Sequence, residues 1–281
     1  PLYTRELSIE GTFVGEVADG YQAGELEITP ETVTISGEES AVNQVARAVV
    51  EVGGDALTET YTGDLPITLL DRDGNVIEDD RISLSVDTAL VILPVQVVRD
   101  VPLTVNLIPG GGISQEDIDR YVKVEIDPAT ISVAGSAEDL EAITSISLGD
   151  IDLSTVLTTA SVERNIEIAN ELTNISGVSR ATVTITIEGL EMRTVDVSNF
   201  ELRNVSAGYH ADIVTQSIDI QIRGPRESLD QISPSQILVV GDLTDIVSAT
   251  GRYTVPARVY LNGPDDVGVV GEYTVTVQVT R

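Results

Sequence analysis

The sequence predicts a mainly β protein: a tandem array of three small β-rich units, each with one short helix, forming an elongated molecule. Three observations carry this expectation. Apolar residues alternate with polar ones in many segments, among them TVTI at 32–35, ISLSV at 82–86, TVTITI at 182–187, IDIQI at 218–222 and TVTVQV at 274–279. Period-two alternation of β-branched residues is the signature of half-buried strands. The apolar mass is Val, Ile, Leu and Ala, with only 4% aromatic residues, no Trp and two Phe. Finally, an arginine-led strand opening recurs every 94 residues, at Arg5, Arg99 and Arg193.

Taken in order, each unit opens on that arginine, with apolar residues two and four positions later: Leu7 and Ile9, Val101 and Leu103, Val195 and Val197. A Gly-Tyr turn follows in two copies, Gly20-Tyr21 and Gly208-Tyr209, which places His210 in an exposed loop at that turn. A strand then runs into a glycine. Pro30 to Gly37 matches Pro128 to Gly135, and Ile218 to Gly224 keeps the alternation without the proline. Five and eight residues after each glycine stand apolar pairs, Val42/Val45, Leu140/Ile143 and Leu229/Ile232, which predict a short amphipathic helical turn. The next strand ends on Gly-Asp in every copy, within Val49–Asp55, Ile146–Asp150 and Leu238–Asp242, and a closing strand is expected at Ile82–Val86, Ala181–Ile187 and Tyr273–Val279.

The units are therefore 1–91, 92–189 and 190–281. A length of 281 residues alone points to two domains, but the repeat outranks that prior. No Gly/Ser-rich or Pro-rich linker separates the units. The apolar run ALVILPVQVV at 89–98 crosses the first boundary and predicts a short, stiff junction. The one Met is Met192, so Pro1 is expected to begin a cut fragment or a mature form, with any signal or anchor upstream.

Composition excludes several functions. With 46 acidic and 16 basic residues the formal net charge is -30, which repels a phosphate backbone or an anionic membrane face. No Cys is present, so disulfide, thiol and thiolate-metal chemistry are excluded. A single His, His210, and a single Lys, Lys123, leave little for zinc binding or acid–base catalysis. Asp71-Arg72-Asp73-Gly74-Asn75 followed by Glu78, Asp79 and Asp80 has the flavour of a Ca²⁺ loop. Its Gly comes fourth and its twelfth position is Ile82, however, so a hairpin turn is the expectation.

The strand–glycine–helix corner ISVAGSAEDLEAI at 131–143 could cradle a phosphate. Acids already occupy the helix start in each copy, at Glu38/Glu39, Glu138/Asp139 and Glu227, and oppose a second anion. Structural capping is the better reading: Gly135 turns the strand, Ser136 and Asp139 form a capping pair, Ser36 and Glu39 repeat it, and Pro225 takes the first helical position. No catalytic, cofactor-binding or metal residue is assigned, and no cofactor is expected.

These residues together carry a resemblance. An Arg-led strand, a Gly-Tyr turn, P-x-T-[VI]-x-[VI]-x-G, an acidic turn with L-x-x-I and a strand into Gly-Asp resemble the YbbR domain, in three copies over essentially the whole chain. The resemblance implies small β-rich domains in tandem behind an N-terminal membrane anchor, on the outer side of a bacterial cytoplasmic membrane. It also implies a non-enzymatic regulator whose partner is the membrane-bound diadenylate cyclase that makes cyclic di-AMP. A cell-envelope ligand is a further expected partner, nucleic acid is not, and the membrane is reached only through the missing anchor. The alternative is a structural or adhesive array, or one that binds cell-wall ligands.

Overall fold

A computed structural model describes residues 2–246 and 249–281. Strands dominate, and helix is confined to short turns. The arginine-led strand is the organising element. In the first copy it is Tyr3–Val17. Its residues 3–8 pair antiparallel with Thr32–Gly37, and its residues 9–17 pair in parallel with Arg47–Leu57. The chain between those two partners forms the helical turn Glu39–Val42. A parallel pair needs such a crossover.

The arrangement recurs. Residues 97–102 of the strand Val95–Ile108 pair antiparallel with Thr130–Gly135, and residues 103–108 pair in parallel with Ile146–Asp152. In the third copy the strand breaks at Ser198-Asn199: Glu191–Val197 pairs with Ile218–Gly224, and Phe200–Arg203 pairs in parallel with Ile237–Asp242. The intervening turns are Ala137–Glu141 and Arg226–Leu229. The peptide bonds before Pro30 and Pro128 are both cis.

The described residues group into two compact units. One comprises residues 2–102, 130–145 and 168–178; the other comprises 103–129, 146–167, 179–246 and 249–281. The middle copy of the sequence motif thus contributes to both. The first core gathers Val33, Ile35, Val42, Val45, Val50 and Val91, all at most 1% exposed. A core in the second unit gathers Val197, Ile220, Ile222, Ile237, Val239 and Val277 on the same pattern. In both, alternate residues of the motif strand and the apolar pair of the helical turn face inward, so the turn is held by burial rather than by its own length.

One expectation is corrected. The closing strand of the first copy is Thr88–Leu93, which pairs with Glu27–Thr29 and Tyr61–Pro66. The strand beginning at Ile82 is only Ile82–Leu84 and pairs with the motif strand, as Gly268–Val270 does in the third copy. The alternation in ISLSV is real but belongs to this shorter edge strand. The apolar run 89–98 is strand Thr88–Leu93, Pro94 and the start of strand Val95–Ile108. A helical turn, Ile118–Tyr121, preceded by the 3-10 turn Gln115–Asp117, was also not anticipated in the middle copy.

Candidate functional site

The three strand–glycine–helix corners were the first candidates for chemistry, and the structure makes them structural. Ser136 is the N-cap of its helix: its Oγ accepts the Asp139 N–H at 3.1 Å and donates to Asp139 Oδ2 at 2.6 Å. The other two copies depart from the expected capping. Ser36 lies in the strand, and Glu38 is the N-cap residue, with no side-chain cap bond. Pro225 is likewise the N-cap, one position earlier than expected.

The glycines serve a different purpose from turning. Gly135 does not adopt a left-handed backbone; a Cβ there would lie 2.3 Å from Leu172 Cδ2. At Gly37 a Cβ would meet the Arg81 carbonyl at 2.0 Å, and at Gly224 the Asp266 carbonyl at 2.7 Å. Each corner needs glycine because a neighbouring segment crosses close to the strand end.

The recurrent arginines are the residues whose role the sequence reading missed. Arg5, Arg99 and Arg193 each reach over to the C-terminal end of their own copy's helical turn. Arg5 Nη1 donates to the Val45 carbonyl at 2.8 Å, and Arg193 Nη1 donates to Leu229 at 2.7 Å and Ile232 at 3.1 Å. Arg99 Nη2 donates to the carbonyls of Leu140 and Ile143. The acceptors are the apolar pair recognised in the sequence. A helix end leaves its last carbonyls without partners and favours a cation. Neither of the first two helical turns has a basic residue of its own in the last turn, so the strand supplies it. The available signal was an arginine recurring in phase with an apolar strand in so acidic a chain.

A fourth arginine is singular. Arg223 is 1% exposed, the one charged side chain among the buried described residues. It stands one residue before the corner glycine, where the other copies have Ser36 and Ala134. Its guanidinium meets only carbonyls: Nε donates to Gly111 at 2.9 Å, Nη1 to Leu157 at 3.0 Å and to Val156, and Nη2 to Leu153 at 2.9 Å and Gly110 at 3.5 Å. Burial pulls its pKa down to about 10, so it stays charged at neutral pH. The collar is built from the turn Gly110–Ile113 and the 3-10 turn Leu153–Thr155. Gly111 and Gly112 have φ of 59° and 82°, and a Cβ on either would strike Arg223. Strand Ile218–Gly224 and the collar thereby form one packed body within the second unit.

The acidic loop is the expected hairpin turn. Asp71 Oδ1 accepts the N–H groups of Asp73 and Asn75, each at 2.9 Å, and Asp71 Oδ2 accepts from Asn75 Nδ2 at 3.0 Å. These bonds hold its carboxyl below the usual range, the Asn75 side chain contributing most. Asp79 and Glu38 are joined through Arg81, at 2.7 and 3.1 Å. No metal-holding group of acids and histidine is found among the described residues. His210 is exposed, but it opens strand His210–Ile213 instead of lying in a loop. The Gly-Tyr turns preceding such strands are alike: Tyr21 N–H bonds to Ala18 O and Tyr209 N–H to Ser206 O, both at 3.1 Å.

Two concavities are open grooves along strand edges. One of about 430 Å³ lies beside Thr68–Leu70 and Ile82–Leu84, lined also by Val76 and Ile77. Another, about 760 Å³, lies beside residues 256–261 and 267–269, lined also by Gly271–Thr274 and Ser154. No helix among the described residues is long and apolar enough to cross a membrane.

The family model described as YbbR-like protein matches residues 8–126 and 195–279. The chain is 23% identical over 262 residues to the CdaA regulatory protein CdaR of Bacillus subtilis (strain 168), covering 88% of this chain and 50% of that protein. It thus spans about half the length of that curated relative. Among solved structures, a YbbR-like protein from Streptococcus pneumoniae TIGR4 is 14% identical, with 67% of this chain and 96% of that one covered and a TM-score of 0.27. The YbbR-like domain of the lmo2119 protein from Listeria monocytogenes is 17% identical, with 32% and 93% covered and a TM-score of 0.26. With its family model matched over most of its length, this chain belongs to the YbbR-like protein family.

Proposed function

We propose that this chain is the non-catalytic, extracytoplasmic part of a membrane-anchored regulator of a membrane diadenylate cyclase, acting by protein–protein contact. It is arranged as three YbbR-type repeats, 1–91, 92–189 and 190–281. The observation that carries this reading is the similarity, across 88% of the chain, to a protein named as the regulatory protein of CdaA. The site geometry supports it. The recurrent arginines and Arg223 are spent on backbone carbonyls, and the clustered acids on turns and surface ion pairs. What remains accessible is strand edge and acidic surface, which suit contact with a protein.

A cyclase whose catalytic part lies in the cytoplasm is reached from outside only through the membrane anchor or the outer loops of the cyclase. The repeats would sense the envelope, and the anchor would transmit the state. The test is cyclic di-AMP measured in cells co-expressing the cyclase with the anchored full-length regulator, or with its anchor lacking residues 1–281. The expected result is that removing the repeats abolishes the response to envelope stress. An unchanged response sinks the proposal.

A further inference from the structure

The two edge grooves occupy the same place in the first and third copies, and only in the first does the chain's own return pair with the strand edge. Aligning Pro66 with Pro256 sets Leu69 against Val259 and Leu70 against Tyr260; aligning Gly37 with Gly224 sets Ile82 against Val267. In the first copy the chain from 71 to 81 is long enough to turn at Asp71–Asn75 and come back along the edge of Thr68–Leu70. Val76 forms an antiparallel bridge to Leu70, and the Ile77 N–H donates to the Leu69 carbonyl at 2.9 Å. Ile77 is half-buried and packs on the core. In the third copy the matching loop, 261–266, has no room for such a return.

The register shows what this leaves open. Strand Gly251–Leu261 pairs on one side with Ile237–Asp242 and on the other with Tyr273–Thr280, but the latter pairing stops at Ala257↔Tyr273. The Asn262 N–H donates to Gln236 O at 2.9 Å, which continues the first ladder. Ladder bonds alternate along an antiparallel strand. Tyr260 and Arg258 therefore bond towards Ile237–Asp242, while Val259 and Leu261 direct their N–H and C=O groups the other way, into the groove. Gly271, which would face Val259, instead donates to the Ser154 carbonyl at 2.8 Å, with φ at 98°. Strand Gly268–Val270, paired only with Ile218–Gly224, lines the groove's other side.

We propose that this groove accepts an extended segment of a partner protein, added antiparallel to the edge of Gly251–Leu261. A residue opposite Tyr260 would be followed by a β-branched residue whose N–H bonds to the Val259 carbonyl. The chain's own Val76-Ile77 is the template for that occupant. Backbone bonds supply the attachment, and the apolar wall of Val259, Leu261, Val267 and Val269 selects the side chain. The chain's charge of -30 and Glu272 on the rim set the flanks as neutral or basic with no acidic cluster. The proposal is independent of which enzyme, if any, the chain regulates.

The test uses the full chain, ¹⁵N-labelled, and a capped Thr-Val-Ile-Thr-Lys peptide. Before peptide is added, the amides of Val259 and Leu261 should exchange with solvent much faster than those of Arg258 and Tyr260. The peptide should shift Val259, Leu261 and Val269 and slow exchange at the first two. The same peptide N-methylated at Ile should do neither. A chain carrying residues 71–81 in place of 261–266 should have a protected Val259 amide and no peptide response. Equal protection of all four amides in the free chain overturns the proposal. So does an absent peptide response, an unchanged response to the N-methylated peptide, or protection that grows with protein concentration alone and so marks a second copy as the occupant.

Discussion

Replacing Arg223 with Met keeps a long apolar stem in the site and removes the fork that five carbonyls face. Hydrogen bonds to a charged partner are each worth about 1.5–3 kcal/mol. Losing the guanidinium also removes its desolvation cost, of several kcal/mol. Buried ions replaced together with their partners by apolar residues are often neutral in stability. Here the acceptors are main-chain oxygens of Gly110, Gly111, Leu153, Val156 and Leu157, which no substitution can make apolar. The Gly110 and Leu153 carbonyls keep the N–H groups of Ile113 and Val156, but those of Gly111, Val156 and Leu157 would lose their guanidinium donor, so the balance falls on the destabilising side, at about 3 kcal/mol. For a folding unit of this size, roughly 2–4 °C of melting temperature is lost per kcal/mol, which gives a fall of about 6–12 °C. Differential scanning calorimetry of the full chain should show it in the unit that contains residues 179–281. Arg223→Lys, which keeps the charge but not the planar fork, should fall between wild type and Met. A Met variant melting within about 2 °C of wild type would refute the collar's role.

Three further outcomes are expected. Arg193→Met removes the guanidinium bonds to the Leu229 and Ile232 carbonyls and should cost about 1–2 kcal/mol in urea unfolding, more than Arg5→Met, which loses one bond. Gly135→Ala should destabilise by about 1–3 kcal/mol through overpacking, and Leu172→Ala in that background should recover part of it, because Leu172 is the side chain in the way. Acid titration should weaken the chain from the surface loops inward. Asp71, Asp79, Glu38 and Asp242 all have lowered pKa values, Asp242 to about 2, chiefly through the Asn204 side chain. Unfolded carboxyls bind protons first, so this stabilisation is full above the unfolded carboxylate range, near pH 4, and is lost as pH falls through the lower folded values. Asp242→Asn should flatten the part of the stability profile between pH 4 and about 2.

The fold was legible where residues report on their own neighbours. Strand alternation, the corner glycines and the apolar pair after them are local patterns, and each lies where the period placed it. The Asp71–Asn75 turn was legible because Asp-Gly and Asx geometry act within four residues. What failed were statements that depend on a partner distant in sequence. Gly135 needs glycine because of Leu172, and Gly37 because of Arg81. Arg99 was read as a strand opener because its acceptors lie 41 and 44 residues on. Ile82–Leu84 was mistaken for a closing strand because alternation reports a half-buried strand but not which strand it pairs with. Arg223 was visible as the odd letter before a glycine, yet nothing local distinguishes a buried guanidinium from an exposed one.

Those odd letters are where function should be sought in a repeat protein. Residues common to the copies, such as the three clasping arginines, satisfy demands that the fold makes every time and therefore say little about any one copy. Departures are different. Arg223, against Ser36 and Ala134, binds one copy's strand to a collar of glycine turns. The loop 261–266, against 71–81, leaves uncovered an edge that the first copy closes with its own chain. An exposed strand edge invites unwanted pairing, and proteins ordinarily blunt it. This chain has the means of covering the edge in one copy and omits it in another, while its strong acidity suppresses indiscriminate self-association. An open edge kept on so acidic a protein fits a selective acceptor better than an unfinished sheet. The loop graft separates the two: an edge with no partner loses nothing by being closed.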